Sequence, residues 1–300
     1  MSHQRRNILL LIVAGLAAAT PAIAYTPPDG ESCPVSPSTN YFVTSQVDLP
    51  GLLPPPPAAD SMAQKADIEA VIAAQRQARA NGTLQRAIDD SEMNCARFKD
   101  VLGPDLKSAA AASPLDFVTR AALSASAAGV PAKRYWKRPR PFLVSPEVTP
   151  MADVAPGGEM AFSEYPEKHC VDAPAKTAAE ARKRKEKKDK DDFERNNTSY
   201  PSGHTAFGMA CAIILAQMVP EKRAELFARA DQYGESRIIV GAHFPSDVAA
   251  GKQIARAGAT LVMENGSFER QFVDARNILR AALKYPAALP DLEPKKDLFK

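Results

Sequence analysis

Three short stretches of the chain combine residue types that bind and cleave phosphate esters. They are Lys133–Pro141 (KRYWKRPRP), Tyr200–Thr205 (YPSGHT) and Ser236–Asp247 (SRIIVGAHFPSD). A phosphate dianion needs several cationic groups or N–H donors that converge on its oxygens. Each stretch alone also fits an ordinary structural role: a solvated turn, a helix start or a helix surface. The hypothesis of a site therefore depends on the three being brought together.

Five residues in these stretches are suited to binding the phosphoryl group. Lys133, Arg140 and Arg237 supply positive charge. Ser202 and the backbone N–H of Gly203 stand at a predicted helix start, where free amides and the helix dipole favour anions. Gly203 has no Cβ, so its backbone can approach a ligand closely. We expect these five groups to surround one anion.

Two histidines and one aspartate in the same stretches supply the chemistry. One imidazole can attack phosphorus while the other protonates the leaving oxygen. Asp247 follows His243 by four residues, a spacing that lets the carboxylate hold one ring nitrogen and present the other as the nucleophile. His204, at the predicted helix start, is the second imidazole.

The elements that must position these residues are predicted to be helices. Alanine is abundant and only 7% of the residues are aromatic, which favours helix over strand. Strand-like alternation is almost absent, so the sequence predicts an all-α bundle. The helical pattern begins at about Ser61, and the first helix carries its apolar positions over 67–80 and stops at Gly82. The other predicted helices run from Thr83 towards Gly103; from an N-cap at Ser113-Pro114 to Gly129; over 204–218, burying one face; over 221–240; from an N-cap at Ser246 to about 264; and over 268–283.

The N-terminus has the features of a signal peptide that is cleaved after Ala24. Arg5 and Arg6 precede an apolar run, and Ala22-Ile23-Ala24 resembles a cleavage site. No other stretch has the roughly 18 apolar residues needed to span a bilayer. The sequence thus predicts a periplasmic or secreted protein. After cleavage, 36 basic and 35 acidic side chains remain, a balance that argues against a nucleic-acid-binding surface.

The composition of the segments after the signal peptide predicts how the mature chain is organised. We expect an extended Pro-rich arm over 25–60, one helical domain over 61–285 with a charged insertion at about 171–196, and a tail over 286–300. The charge run 182–192 is interpreted as a solvated excursion rather than a docking loop for a polyanion. The four cysteines permit two disulfides with three possible pairings, although Cys211 also fits a buried thiol. Nothing has the spacing of a metal site.

The three stretches resemble the three-part signature of the type 2 phosphatidic acid phosphatase superfamily, which includes the vanadium-dependent haloperoxidases. The matching positions are Lys133-x6-Arg140-Pro141, Pro201-Ser202-Gly203-His204 and Ser236-Arg237-x5-His243-x3-Asp247. Within that group the chain is most similar to the class A bacterial nonspecific acid phosphatases. That similarity rests on the signal peptide, on 52–57 (LLPPPP) with Asp60-Ser61, and on Ser199-Tyr200, and it covers roughly residues 50–285.

The resemblance implies a helical bundle of the acid phosphatase and vanadium haloperoxidase type. It implies that His243 is the nucleophile and becomes phosphorylated, and that Asp247 orients it. His204 would protonate the leaving alkoxide and then activate water. The five binding residues would stabilise the phosphoryl charge, with no metal or other cofactor and with small phosphomonoesters as substrates. Because His204 must be protonated while His243 is neutral, we expect an acidic optimum, with Asp247 raising the pKa of His243 from roughly 6.5.

Two departures from the family pattern and several alternatives accompany this hypothesis. Thr198 stands where the family commonly has glycine, and the segment from Phe142 to Tyr200 is longer than usual.

The same pocket would suit vanadate, as in a haloperoxidase. A lipid phosphatase or a non-catalytic phosphate-binding protein are the other candidates. The sequence leaves open the physiological substrate, phosphotransferase activity and the oligomeric state, a homo-oligomer included.

Overall fold

A long helix surrounded by other helices forms the centre of the molecule. The computed structural model describes residues 49–103, 106, 109–151 and 197–290, all within one compact unit. The predicted leader, most of the Pro-rich arm, the charged insertion, Cys33 and Cys170 lie outside the described residues. The described α-helices are α1 Leu49–Leu52, α2 Met62–Asn81, α3 Leu84–Asp89, α4 Lys99–Leu102, α5 Ala109–Ala127, α6 Val130–Trp136, α7 Pro141–Val144, α8 Gly203–Met218, α9 Arg223–Ile239, α10 Pro245–Met263 and α11 Gly266–Ala282.

The prediction of an all-α fold is confirmed. Short 3-10 helices at Cys95–Phe98 and Pro220–Lys222 join the α-helices. In the part of the chain that the structure describes, β-structure is limited to an isolated bridge between Pro139 and Thr198. None of the described helices is long and apolar enough to cross a bilayer.

Helix α8 packs against α5, α9 and α10, and α5 in turn packs against α10 and α11. The sequence predicted that only one face of α8 is buried, but the buried surface of this helix is larger. Nearly the whole circumference is buried, with Gln217 exposed and Gly203 and Ile213 intermediate. A helix that is apolar on every side belongs in the middle of a bundle. Its first turn, which carries His204, is therefore held rigidly by its neighbours.

Several predicted boundaries are confirmed by their local chemistry. The side chain of Ser61 caps α2 by accepting from the N–H of Gln64 at 3.1 Å, and Gly82 ends that helix in the left-handed region. The proline run 54–57 lies outside helix. Pro220 stands two residues after Met218, the last residue of α8.

Three predicted boundaries were wrong. Helix α5 begins at Ala109, before Ser113, and contains Pro114, because the alanines ahead of the proline have high helix propensity and extend the helix. Ser246 does not cap α10, since Phe244 holds that position and the Ser246 hydroxyl bonds to Asp67 instead. The helix predicted from Thr83 to Gly103 is interrupted after Asp89.

A disulfide joins Cys95, on the 3-10 helix, to Cys211 in the middle of α8. The two Cα atoms are 5.7 Å apart and 116 residues separate them in sequence. Of the two interpretations of Cys211, the disulfide is therefore correct. A cross-link over so long a loop is expected to stabilise the fold by roughly 2–4 kcal/mol. It leaves Cys33 and Cys170 as the remaining pair that the sequence permits within the chain.

Candidate active site

The first two signature stretches are joined by their backbones. Lys133 lies in the last turn of α6, and Arg140 immediately precedes α7. Between them, the N–H of Ser199 donates to the carbonyl of Arg138 at 2.8 Å, next to the bridge between Pro139 and Thr198. Thr198, which replaces the family's usual glycine, fits this bridge.

The third stretch is shaped by a tight turn between α9 and α10. The carbonyl of Arg237, near the end of α9, accepts from the N–H groups of Ala242 and His243 at 3.0 and 3.2 Å. Gly241 has a φ of 75°, a left-handed conformation that favours glycine. A Cβ at Gly241 would also lie 3.0 Å from Nε2 of Gln75. This turn therefore places Arg237 and His243 side by side.

The central stretch, Tyr200–Thr205, forms the start of α8 and packs against α10. Oγ of Ser202 caps the helix, accepting from the N–H of Thr205 at 3.3 Å and from the hydroxyl of Thr205 at 2.9 Å. The N–H of Ser202 donates to the carbonyl of Asp247 at 3.0 Å. A Cβ on Gly251 would lie 2.5 Å from the carbonyl oxygen of Ser202, so only glycine permits this approach. Since Oγ of Ser202 accepts both bonds, its hydroxyl proton is available to an anion.

Three buried cations line the site. Nζ of Lys133 donates to the carbonyls of Thr198 and Ser199, each at 3.3 Å. Arg140 donates to the carbonyl of Ala242 at 2.8 Å. Burial, with the positive charge of Arg140, lowers the pKa of Lys133 to about 7, and Asp247 opposes that shift. A bound anion would restore the lysine charge.

The third cation, Arg237, is completely buried and is held by a residue that sequence analysis did not single out. Its Nη1 donates to the hydroxyl of Ser91 at 2.6 Å. Ser91 lies just after the point where the predicted helix from Thr83 is interrupted. The prediction of a single helix from Thr83 towards Gly103 concealed the break, and with it the loop that reaches the site.

His243 is buried and faces two different groups. Its Nε2 lies 3.5 Å from Nη1 of Arg140, while its Nδ1 lies 3.6 Å from Oδ2 of Asp247. The second distance is too long for a hydrogen bond. The prediction that Asp247 raises the pKa of His243 was wrong: burial, with Arg140, Lys133 and Arg237, lowers that pKa well below its usual value. The free site thus favours a neutral ring, as a nucleophile requires.

Asp247 is fully buried in the first turn of α10 and accepts a bond on each oxygen. Oδ2 accepts from the N–H of Phe244 at 2.8 Å, and Oδ1 accepts from Nη1 of Arg138 at 2.6 Å. Burial raises the pKa of Asp247, and Arg138 opposes that shift. The carboxylate is therefore fixed before any substrate arrives.

His204 is also buried, and its Nε2 lies 2.9 Å from the carbonyl oxygen of Ser91. A carbonyl can only accept a hydrogen bond, so Nε2 must carry the hydrogen, and Nδ1 is the nitrogen that titrates. Burial, with the charges of Arg237, His243 and Arg140, lowers the pKa of His204 well below its usual value. The two rings therefore share Arg140 and Arg237 as cationic neighbours.

Arg138 is the other site residue that sequence analysis left without a role. Its guanidinium contacts four side chains, and these belong to Gln64, Asp67, Ser246 and Asp247. The partners stand 71 to 109 residues away in sequence. Spacing along the chain gives no signal of such a contact.

All the residues predicted to bind or transfer the phosphoryl group thus lie at helix ends around one buried, cationic region. Such a region can hold an oxyanion and stabilise charge that develops on it during a displacement. Within the described ranges, no group of three or more His, Cys, Asp or Glu side chains is arranged to hold a metal ion.

Comparison with a model of a protein family shows the family to which the chain belongs. The model of the PAP2 superfamily matches residues 115–270, which is more than half of the chain and includes all three signature stretches. The chain belongs to the PAP2 superfamily. This confirms the resemblance drawn from the signature, since the matched region runs from within α5 to the start of α11 and includes the helices around the site.

Relatives of this PAP2 superfamily member include bacterial acid phosphatases. A non-specific acid phosphatase of Providencia stuartii is 38% identical over 90 residues, 30% of this chain and 36% of the relative. A non-specific acid phosphatase of Salmonella typhimurium is 39% identical over 85 residues, 28% and 34% of the two chains. An acid phosphatase of Zymomonas mobilis is 40% identical over 93 residues, 31% and 35%. The matched segments span about a third of each relative's length.

Proposed function

We propose that the protein is an exported acid phosphatase that hydrolyses small phosphomonoesters through a phospho-histidine intermediate on His243. The observation that carries the proposal is the pair of buried imidazoles, His243 and His204, which share Arg140 and Arg237 as neighbours. Membership of the PAP2 superfamily and similarity to proteins named acid phosphatases support the same conclusion.

The first step transfers the phosphoryl group to the protein. Nε2 of His243 attacks phosphorus, the P–O bond to the leaving group breaks, and Nδ1–H of protonated His204 gives its proton to the departing oxygen. Lys133, Arg140 and Arg237 neutralise the phosphoryl oxygens in the transition state, together with donors at the start of α8. Asp247 stabilises the positive charge that forms on the attacked ring.

The second step returns the enzyme to its resting state. His204, now neutral at Nδ1, takes a proton from water while the water oxygen attacks the phospho-histidine. The P–N bond breaks, inorganic phosphate forms, and His204 is again protonated. The cycle therefore balances with water as its only co-reactant.

The mechanism requires no metal in this proposal, because three cationic side chains occupy the positions where a metal would otherwise offset phosphoryl charge. The proposal of export is supported by the disulfide between Cys95 and Cys211, since such bonds persist in oxidising compartments such as the periplasm. The predicted cleavage after Ala24 is part of the same proposal.

The decisive experiment compares the full-length chain, expressed with its leader and recovered from the periplasm or medium, with its His243→Ala variant. With excess EDTA and p-nitrophenyl phosphate, the wild type should turn over, and kcat of the variant should fall at least about 10⁴-fold. Acid quenching of the wild type with ³²P-labelled substrate should trap labelled protein, and the variant should give none. A fully active variant, or activity abolished by EDTA, would contradict the proposal.

A further inference from the structure

A buried arginine at a position that the first signature stretch leaves unspecified connects three parts of the chain behind the proposed nucleophile. Arg138 is 5% exposed and lies in the connection between α6 and α7. Its Nη1 donates to Oγ of Ser246 at 2.7 Å and to Oδ1 of Asp247 at 2.6 Å. Its Nη2 donates to Gln64 at 2.6 Å and to Asp67 at 2.7 Å, both on α2.

We propose that Arg138 is a positioning residue for phosphoryl transfer, holding the carboxylate of Asp247 in place against the ring of His243. The inference rests on the proposed function, because it concerns how the nucleophile of that reaction is supported. Arg138 acts through Asp247 and does not touch the substrate.

Geometry distinguishes this contact from an ordinary ion pair. Asp247 has two oxygens, and Oδ2 already accepts from the backbone of Phe244. The bond from Arg138 to Oδ1 removes the remaining freedom of the carboxylate to rotate. As a result, Oδ2 stays aimed at Nδ1 of His243 across 3.6 Å, a gap that can shorten as positive charge develops on the ring.

The guanidinium is itself immobilised from three sides. Asp67, 8% exposed, accepts from Nη2 and also from the hydroxyl and backbone N–H of Ser246. The guanidinium carbon lies 4.1 Å from the centre of the Phe244 ring, the residue after His243. A planar fork with separate donors suits this geometry, whereas the single ammonium of lysine cannot bond on both sides in the same way.

The charges around Asp247 predict the direction in which the loss of Arg138 shifts the pH dependence of activity. The charged or titratable groups that face it are Arg138, the ring of His243, Lys133 on α6 and the phenol of Tyr200. Burial raises the pKa of the carboxyl, and Arg138 is the first of the groups that oppose the rise. Without Arg138 the carboxylate would protonate at a higher pH, so the activity that depends on its charge would be lost earlier as the pH falls.

The test compares Arg138→Met with Arg280→Met in the full-length protein. Arg280 is a matched control because it is also buried, forms a bidentate pair with Glu221 and lies over an aromatic ring, yet none of its partners is a site residue. Both variants should lose thermal stability. The Arg138 variant alone should lose about 10–100-fold in kcat per folded molecule, with KM within about threefold.

Two further readouts separate positioning from mere stability. In Arg138→Met, the acid limb of the kcat profile should move to higher pH by about one unit, and in Arg280→Met it should stay in place. Arg138→Lys should recover part of kcat and part of the shift. If Arg138→Met fails to fold, Arg138→Lys tests the positioning role instead. We expect its kcat to be about tenfold below that of the wild type and its acid limb to be shifted to higher pH.

The outcomes also separate this inference from the proposed function. A wild type that cleaves p-nitrophenyl phosphate, an inactive His243→Ala variant and an Arg138 variant with wild-type kcat and pH profile would overturn only the role of Arg138. Equal losses in the Arg138 and Arg280 variants would overturn it as well. An inactive wild type, or an active His243→Ala variant, would instead refute the proposed function.

Discussion

The two imidazoles of the site are buried beside the same cations, but a carboxylate faces only one of them. His243 faces the carboxylate of Asp247 across 3.6 Å, in addition to the backbone of Ser199, whereas His204 contacts the main-chain carbonyl of Ser91 at 2.9 Å. A carboxylate carries a full negative charge and stabilises positive charge that forms on a ring. A carbonyl fixes the tautomer without adding that charge, so the ring releases its proton more easily. The carboxylate beside His243 suits a nucleophile, and the carbonyl beside His204 suits a proton donor.

Behind each ring stands a buried arginine with two aspartates. Arg138 pairs with Asp67 and Asp247, and Arg229 pairs with Asp90 and Asp100. Arg138 bonds directly to the carboxylate that faces His243. The second network reaches His204 along the main chain, through Ser91, the residue after Asp90. If Arg138 positions Asp247 as proposed, similar ion-pair networks serve chemistry or stability according to whether the last contact is a titratable side chain.

The largest expected effect tests the half of the site that contains His204. His204→Ala should lower kcat/KM for an alkyl phosphate by about 10²–10⁴-fold, since an alkoxide leaves poorly without a proton. The loss for p-nitrophenyl phosphate should be much smaller, because p-nitrophenolate is a stable anion. Steady-state kinetics with the two esters measure the contrast. His243→Ala is the control and should disable both esters; equal losses with His204→Ala would break the proposed division of roles.

The next effect concerns stability in the network behind His204. Arg229→Met removes the cation that bonds to both oxygens of Asp90, a completely buried residue, and should lower the free energy of unfolding by about 3–5 kcal/mol. Urea denaturation measures this change. The pH limbs of kcat for the folded fraction should stay in place, unlike those of the Arg138 variant. A shifted acid limb in Arg229→Met would show that both networks tune the chemistry.

Sequence patterns were sufficient for local features and for naming residues that the fold brings together. The helix boundaries at Ser61 and Gly82, and the apolar character of α8, follow from capping chemistry and hydrophobicity within a few residues. The signature spacing identified the residues that the fold brings together. Both depend on interactions that are close in sequence or on a family pattern.

Sequence patterns failed where long-range packing decides. Arg138 finds Asp67 and Asp247 only after α2 has packed near α10, and the helix break at Ser91 depends on contacts with α8 and α9. The sign of the pKa shift on His243 failed for a similar reason. Asp247 and Arg237 are near His243 in sequence, whereas burial and the other two cations, Lys133 and Arg140, come from elsewhere in the fold.

A smaller effect tests the cationic neighbours that the two halves share. Burial and positive charge lower the pKa values of both rings in the free protein. A bound phosphate dianion offsets that charge and should raise both. Protonated His204 is lost as the pH rises through its pKa, so the basic limb of kcat should lie above that of kcat/KM by about one unit. Ring NMR titration with and without inorganic phosphate, assigned with His204→Gln, gives a direct measure; coincident limbs would contradict the argument.

The smallest effect separates the two contacts that Ser91 makes. Its hydroxyl accepts from Arg237, and its carbonyl contacts His204. Ser91→Ala removes only the first, so inorganic phosphate should inhibit about 3–10-fold less tightly, as expected for one hydrogen bond worth about 1 kcal/mol. The ratio of kcat/KM between alkyl and aryl esters should not change, because the carbonyl that fixes the tautomer of His204 remains. Ser124→Ala, which removes a buried hydroxyl bonded within α5, is the control. A changed ester ratio in Ser91→Ala would mean that the side chain, rather than the main chain, positions the proton donor, and the contrast between the two imidazoles would then lose its basis.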